Sequence, residues 1–181
     1  MDFTITRKIE IDAGHRIASH GSKCRHLHGH RYVVEVTCRA PSGRLVEAGE
    51  QSGMILDFGF LKDELIRHID EPCDHGLIVA LDDLDLLSLF LPKGETLKKW
   101  TAALAVDVKA QGYAERNDGR LGQKLYVIPA PPTAECLARH WFERLMPAIR
   151  KRSGGHAEVA HVRVWETPNC WADYGAEDAA R

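Results

Sequence analysis

Histidine is the residue type whose number and spacing in this sequence indicate a chemical function. The chain has ten histidines, and five of them fall within one short stretch, at His15, His20, His26, His28 and His30. Neutral imidazole is a favoured ligand of zinc, and a catalytic zinc site uses three protein ligands and keeps a fourth position for water or substrate. His20 is most simply a loop residue. The stretch as a whole predicts a metal site.

The spacing within the stretch indicates which rings could meet. His28 and His30 flank Gly29, and alternate residues of an extended strand point to the same face of a sheet. His15 lies just past the first predicted strand and would supply a third ring if the first two strands are neighbours. Gly29 leaves room for the close approach of a ligand or of another backbone. His26 is an alternative ligand, because it also lies two positions from His28, and a polar surface loop is the ordinary alternative to a metal site.

The composition is that of an ordinary globular protein, with 44% hydrophobic and 28% charged residues. The 24 Lys and Arg residues against 26 Asp and Glu residues give a net charge of -2, so no basic field exists to hold a nucleic acid. No apolar run approaches the roughly 18 to 20 residues that span a bilayer, and no signal peptide is visible. We expect one domain over residues 1–181 that binds neither nucleic acid nor membrane.

The five cysteines argue against a disulfide framework. They are odd in number and scattered, at Cys24, Cys38, Cys73, Cys136 and Cys170. A reducing, cytoplasmic setting is therefore expected.

Periodicity predicts the elements that would position these residues. Apolar and polar residues alternate over residues 3–11, 31–40 and 157–165, and residues 124–128 also have strand character. Helical spacing predicts helices at 58–69, 97–110 and 134–150. Asp57 and Thr133 are the expected N-caps, and Pro147 should bend or shorten the last helix. Residues 111–122 are predicted to be loop, and the whole indicates an α+β fold with an antiparallel sheet.

Six short motifs, in this order along the chain, resemble the signature of the 6-pyruvoyl-tetrahydropterin synthase family, which includes the bacterial 6-carboxy-tetrahydropterin synthases of queuosine biosynthesis. They are Asp-Ala-Gly-His-Arg at 12–16, Cys-Arg-His-Leu-His-Gly-His at 24–30, Gly-Met-Ile-Leu-Asp-Phe at 53–58, Asp-His at 74–75, Pro-Thr-Ala-Glu at 132–135 and Glu-Thr at 166–167. The cysteine followed at fixed spacing by His-Gly-His is the most specific of them.

The resemblance implies a zinc ion on His15, His28 and His30, in agreement with the spacing argument. It implies that Cys24 is the catalytic base, and a thiol near a dication has a lowered pKa that suits this role. Taken alone, Cys24 would more often be a small buried residue.

The resemblance also implies roles for four residues further along the chain. Asp74 and His75 would complete a proton relay, with the histidine drawn either from the same subunit or from another. Glu166 would anchor the pterin ring by paired hydrogen bonds, and Thr133 would contact the substrate in addition to capping a helix. The simpler alternatives are a turn at residues 74–75, a surface ion pair between Glu166 and Arg163, and a purely structural Thr133.

Members of that family have the tunnelling fold (T-fold), a four-stranded antiparallel sheet with two helices on one face. Three subunits close a barrel, two trimers form a homohexamer, and the active sites lie between subunits. The chain departs from compact members after the Asp-His pair, where we expect an insertion over about residues 80–123.

The resulting functional hypothesis is a zinc-dependent carbon–oxygen lyase, 6-carboxy-5,6,7,8-tetrahydropterin synthase. It would convert 7,8-dihydroneopterin triphosphate to 6-carboxytetrahydropterin and release triphosphate and acetaldehyde. The alternatives are 6-pyruvoyl-tetrahydropterin synthase, another pterin-converting member of the family, or a non-catalytic protein that binds zinc or pterin.

Overall fold

A long antiparallel hairpin forms the centre of the structure, a computed structural model that describes residues 3–179. Strand β1 (Thr4–His15) and strand β2 (His28–Arg39) pair along their whole length, from Thr4 opposite Arg39 to His15 opposite His28. Both strands extend further toward the connecting loop than the alternating pattern predicts. His15 is therefore the last residue of β1 rather than a residue beyond it.

Across residues 3–179 the sheet has seven strands in the order β4-β5-β3-β1-β2-β6-β7, so the expectation of four strands is wrong in number. The remaining strands are β3 (Gly76–Ala80), β4 (Ala114–Arg116), β5 (Leu125–Ile128), β6 (Glu158–Thr167) and β7 (Cys170–Gly175). The sheet is mixed, because β3 runs parallel to both β1 and β5. Strand β3 is apolar on both faces and lacks the alternation that marks a half-buried strand, and β4 has only three residues within a stretch predicted to be loop.

The helices of the described residues are α1 at Phe58–Leu65, α2 at Glu71–Cys73, α3 at Leu84–Leu89, α4 at Leu97–Gln111, α5 at Ala134–Arg152 and α6 at Ala176–Ala179. Helices α1, α4 and α5 lie where helices are predicted, whereas α2, α3 and α6 are not predicted. A π-helical segment, Ile66–Asp70, joins α1 to α2. Asp57 and Thr133 are the N-caps of α1 and α5, as predicted. Helix α5 continues through Pro147 for more than one further turn, so the proline does not shorten it.

Two hydrophobic cores lie on opposite faces of the sheet. The main core packs α1 and α5 against β1, β2 and β6, which confirms the expectation of two helices on one face. The second core packs α3 and α4 against β3, β4 and β5. Neighbouring residues of β3 divide between them, with Ile78 in the main core and Val79 in the second. Within residues 3–179, no helix is both long enough and apolar enough to cross a membrane.

Candidate metal centre and active site

Three histidines meet where the β1–β2 hairpin approaches its connecting loop. His15 ends β1, and His28 and His30 begin β2, so the antiparallel register brings all three to one place. One nitrogen from each ring lies within 4.8 Å of the others. Gly29 permits this close pairing, because a Cβ there would stand 3.0 Å from the Ala13 carbonyl oxygen. Glycine is thus required at this position by the close approach of the β1 backbone.

Hydrogen bonds orient two of the three rings. His15 Nδ1 lies 2.8 Å from the Pro132 carbonyl oxygen, and His28 Nδ1 lies 2.7 Å from the His26 carbonyl oxygen. Since a carbonyl accepts only, each Nδ1 is the protonated nitrogen and each Nε2 keeps its lone pair. This arrangement is the usual one for histidines that bind a metal.

Unpartnered nitrogens show that the cluster fits a cation. Nε2 of His15 and Nε2 of His30 are buried and have no hydrogen-bond partner, and a buried polar atom without a partner is costly. Burial is also the main reason that the pKa values of His15 and His30 lie below the ordinary value, so both rings favour the neutral form that binds metal. The donor set of three imidazoles suits zinc among other divalent ions.

The other two histidines of the stretch lie outside the cluster. His20 and His26 are exposed, and His26 contributes its backbone carbonyl to the orientation of His28. The alternative in which His26 replaces one of the three ligands is therefore not supported by the geometry.

Glu166 lies beside the histidines on the last long strand. Its carboxylate oxygen Oε1 is 3.6 Å from Nε2 of His15 and 3.9 Å from Nε2 of His30. A register shift in the β6–β7 pairing occurs at this point of β6. The alternative pairing of Glu166 with Arg163 is wrong, because Arg163 donates two hydrogen bonds to the carboxylate of Asp173.

Cys24 lies in the loop that connects the two histidine-bearing strands. It is the middle residue of a 3-10 helix, Lys23–Arg25, and its side chain is half-buried. Its carbonyl oxygen accepts a hydrogen bond of 2.8 Å from the Ile17 backbone, which draws the loop together just after His15. All five cysteines are free thiols, as expected.

Tyr32 belongs to this site, although the sequence argument does not single it out. It is completely buried, and its ring meets the rings of His15 and His30 edge-on, with centroids 5.8 and 5.6 Å away. Burial raises the pKa of the Tyr32 phenol, and the charges of Glu166 and Cys24 raise it further. The signal for Tyr32 was its position, because it lies two residues after His30 and so points to the same face of β2.

Asp74 and His75 form a pair that is hydrogen-bonded to β1 at Asp12. His75 Nδ1 is 2.6 Å from Asp74 Oδ2, and Asp74 Oδ1 accepts a hydrogen bond of 2.9 Å from the Asp12 backbone. His75 has a left-handed backbone with φ of 54°, which is uncommon outside glycine, and its ring is exposed. The dyad therefore joins β1 three residues before His15.

Thr133 is placed next to the cluster by the start of α5. Its hydroxyl caps the helix by accepting a hydrogen bond of 3.3 Å from the Cys136 backbone. The preceding residue, Pro132, provides the carbonyl that orients His15. The helix start therefore contributes to the site through the Pro132 backbone, while the Thr133 side chain caps the helix.

An open cleft of about 610 Å³ lies next to the cluster, and His30 and Glu166 line it together with Trp165, Lys8 and Arg31 among others. This is a common volume for a small-molecule site. The cations of this cleft are paired with carboxylates, since Lys8 lies 2.7 Å from Glu35 and Arg31 lies 2.8 Å from Asp12.

Comparisons with known proteins agree with this architecture. The chain is 34% identical over 168 residues to a 6-carboxy-5,6,7,8-tetrahydropterin synthase of Rickettsia felis, with 93% of this chain and 96% of the relative covered. It is 26% identical to the protein of the same name from Haemophilus influenzae, with 95% and 98% covered.

Solved structures show the same T-fold. An uncharacterized protein from Wolinella succinogenes superposes with a TM-score of 0.70 at 23% identity, covering 97% of this chain and 99% of that one. The 6-pyruvoyl tetrahydropterin synthase of Caenorhabditis elegans superposes with a TM-score of 0.55 at 22% identity, covering 97% and 96%. The family model described as 6-pyruvoyl tetrahydropterin synthase matches residues 4–177. Because that match spans nearly the whole chain, this protein belongs to the 6-pyruvoyl tetrahydropterin synthase family.

Proposed function

We propose that the protein is a zinc-dependent 6-carboxy-5,6,7,8-tetrahydropterin synthase that acts on 7,8-dihydroneopterin triphosphate and releases acetaldehyde and triphosphate. The observation that carries the proposal is the cluster of His15, His28 and His30, with two buried unpartnered nitrogens, beside the carboxylate of Glu166. The curated relatives support the choice of product, because those from Rickettsia felis and Haemophilus influenzae bear this name. The pathway would be that of queuosine.

His15, His28 and His30 would hold the zinc ion through their Nε2 atoms. Bound there, zinc supplies a Lewis acid that polarises an oxygen of the substrate side chain and makes the neighbouring C–H bond more acidic. The protein's own contribution is to keep His15 and His30 neutral through burial. It also orients His15 and His28 through the carbonyl oxygens of Pro132 and His26.

Cys24 would act as the general base that removes the side-chain proton. The 3-10 helix holds the thiol in the loop between His15 and His28, and the thiol is half-buried rather than sealed in a core. A nearby dication favours the thiolate. This position is consistent with a carbon–oxygen lyase in which proton removal precedes loss of triphosphate.

Glu166 would anchor the pterin ring by accepting hydrogen bonds from its amino and ring N–H groups. Its carboxylate faces the histidines and lines the cleft of about 610 Å³, so a ring held there would direct its side chain toward the cluster. Thr133, at the start of α5, would provide a secondary contact.

Asp74 and His75 would act on the active site of a neighbouring subunit. The His75 backbone is bonded to Asp12, three residues before His15 on β1, and at about 3.3 Å per residue this is roughly 10 Å away along the strand. The dyad is therefore badly placed to relay protons within its own chain. A homohexamer of two trimers would bring an exposed His75 to another chain's cluster.

Residues 80–123 would be an addition to the compact family fold. They contain α3, α4 and β4, and they supply the helices of the second core. Asp83 ties this segment to the site, since its buried carboxylate caps α3 and pairs with Arg16, the residue after His15.

The test is to incubate zinc-loaded protein with 7,8-dihydroneopterin triphosphate and identify the products by mass. We expect 6-carboxytetrahydropterin, acetaldehyde and triphosphate. Triphosphate without acetaldehyde would indicate the 6-pyruvoyl reaction. Bound zinc without turnover of any dihydropterin would contradict the proposal and favour a non-catalytic binding protein.

A further inference from the structure

The buried tyrosine at the histidine cluster has a hydroxyl group without a partner. Within residues 3–179, five buried side-chain nitrogen or oxygen atoms lack a hydrogen-bond partner, and three of these belong to His15, His30 and Tyr32. The other two are indole nitrogens of Trp100 and Trp141. Because the rings of these three residues are in contact, the unpartnered atoms indicate a place where a polar ligand would bind.

The position of Tyr32 follows from the strand itself. His28, His30 and Tyr32 alternate along β2, so their side chains lie on the same face. The phenol ring stands edge-on to His15 and His30, and no part of the residue is exposed. The phenol ring is therefore held next to the cluster by a strand rather than by a loop.

A second buried tyrosine, Tyr126, provides a comparison, because its hydroxyl is hydrogen-bonded within the protein. The hydroxyl of Tyr126 lies 2.7 Å from His140 Nε2 and also accepts a hydrogen bond from Arg144. Both tyrosines are completely buried, yet Tyr126 is bonded on both sides and Tyr32 on neither. A buried hydroxyl without a partner weakens the fold rather than supporting it, so packing alone does not account for a tyrosine in place of phenylalanine at position 32.

We propose that the Tyr32 hydroxyl forms a hydrogen bond to an oxygen of the substrate's hydroxylated side chain, and that it is a further substrate-contacting residue of this enzyme. This inference rests on the proposed function, because the pterin provides the ligand. The three histidines and Tyr32 act on the same end of the substrate, while Glu166 holds the ring. The hydroxyl thus contributes to the placement of the side chain next to the Cys24 loop.

The test compares Tyr32→Phe with the wild type and with Tyr126→Phe as a matched control. Fluorescence titration of the zinc-loaded proteins measures binding of neopterin, which carries the hydroxylated side chain, and of 6-methylpterin, which lacks it. We expect Tyr32→Phe to bind neopterin about threefold to tenfold more weakly, the effect of one lost hydrogen bond. Binding of 6-methylpterin and the zinc content should match the wild type.

Stability separates a ligand-contacting hydroxyl from a structural one. Urea denaturation of the metal-free proteins should give Tyr32→Phe a midpoint equal to or above that of the wild type, and Tyr126→Phe a lower one. Unchanged neopterin affinity, lost zinc, or a midpoint lowered as in Tyr126→Phe would overturn the inference and leave the proposed function standing. A wild type that binds neither pterin would overturn the proposed function, and the inference with it.

Discussion

Two buried polar regions of this protein lie on the same side of the sheet and are built in opposite ways. The histidine cluster at the end of the β1–β2 hairpin contains buried nitrogens without partners. The Arg144 network, formed by His68, Tyr126, His140 and Arg144 between β5, α5 and the π-helical segment, satisfies its polar groups internally.

Burial and hydrogen bonds define the Arg144 network. Arg144 donates to the Tyr126 oxygen, which also lies 2.7 Å from His140 Nε2. Burial, followed by the charge of Arg144, lowers the pKa of His140, so the ring is neutral. Arg144 also lies over the Tyr113 ring, 3.8 Å from the centroid, and donates to the His68 carbonyl. The network joins the segment after α4 to the main core.

The number of unsatisfied polar groups distinguishes a structural polar cluster from a binding site. A polar cluster that satisfies itself stabilises the fold and needs no ligand. A buried cluster that leaves lone pairs and a hydroxyl unsatisfied costs stability in the free protein, and a ligand recovers that cost. Substitutions in the two regions should accordingly have opposite effects on stability and on binding.

The largest effect is expected from His30→Ala. Loss of one of three ligands should weaken zinc binding by more than about 100-fold, beyond the 10- to 100-fold cost of changing a group that only orients a ligand, and should abolish turnover. Metal analysis after dialysis, together with product assay, measures both. His20→Ala is the matched control, because His20 is exposed and outside the cluster. Full zinc content in His30→Ala would refute the ligand assignment.

Cys24→Ala should retain zinc but lose about 10² to 10⁴ in kcat, the usual contribution of a general base. Steady-state kinetics and metal content measured on the same preparation separate the two properties. Cys170→Ala, which removes an exposed thiol, should behave like the wild type. Unchanged turnover with zinc bound would show that Cys24 is not the base.

Glu166→Gln should weaken pterin binding by about tenfold to 100-fold, because hydrogen bonds to a carboxylate are worth about 1.5 to 3 kcal/mol. Equilibrium binding of neopterin measures this change. Glu143→Gln provides the control, since Glu143 pairs with Arg139 on the surface. Equal affinities for Glu166→Gln and the wild type would mean that another group holds the ring.

The last effect concerns the stability contributed by the Arg144 network and has a definite pH dependence. Burial, followed by the charge of Arg144, lowers the pKa of His140 to about 3. Below about pH 6.5 the unfolded chain binds a proton that the folded chain excludes, so this residue makes the protein less stable as the pH falls from about 6.5 toward 3.

His140→Gln should remove that component of the pH dependence. Between pH 6.5 and 4.5 the wild type should lose about 2 kcal/mol of unfolding free energy more than the variant does. Urea denaturation at the two pH values measures the difference, and zinc content serves as the control because the network lies outside the cluster. Parallel pH curves for the two proteins would contradict the assignment of a buried neutral His140.

The sequence predicts the local parts of this molecule better than the assembled ones. The alternation in β1 and β2, the caps at Asp57 and Thr133, and the pairing of His28 with His30 across Gly29 are local features, and the structure agrees with them. Strand β3 is not predicted, because burial on both of its faces removes the alternation of apolar and polar residues.

The site residues that depend on tertiary contacts could not be derived in the same way. Nothing local to Glu166 reveals that β6 brings it 3.6 Å from His15, because that contact depends on the order of strands in the sheet. The missing partner of the Tyr32 hydroxyl is likewise a property of the packed interior. The Asp74–His75 motif can be recognised in the sequence. Its position beside Asp12 of β1 is known only from the pairing of β1 with β3.

The central claim is that three imidazole nitrogens hold the metal and that Cys24 does not. X-ray absorption spectroscopy of the zinc-loaded protein tests it most directly, because zinc–nitrogen and zinc–sulfur distances differ, at about 2.0 to 2.1 Å and 2.3 Å. Three imidazole nitrogens plus one light atom, with the same spectrum for Cys24→Ala, is the predicted result. A sulfur neighbour at about 2.3 Å, or fewer than three imidazoles, would contradict it.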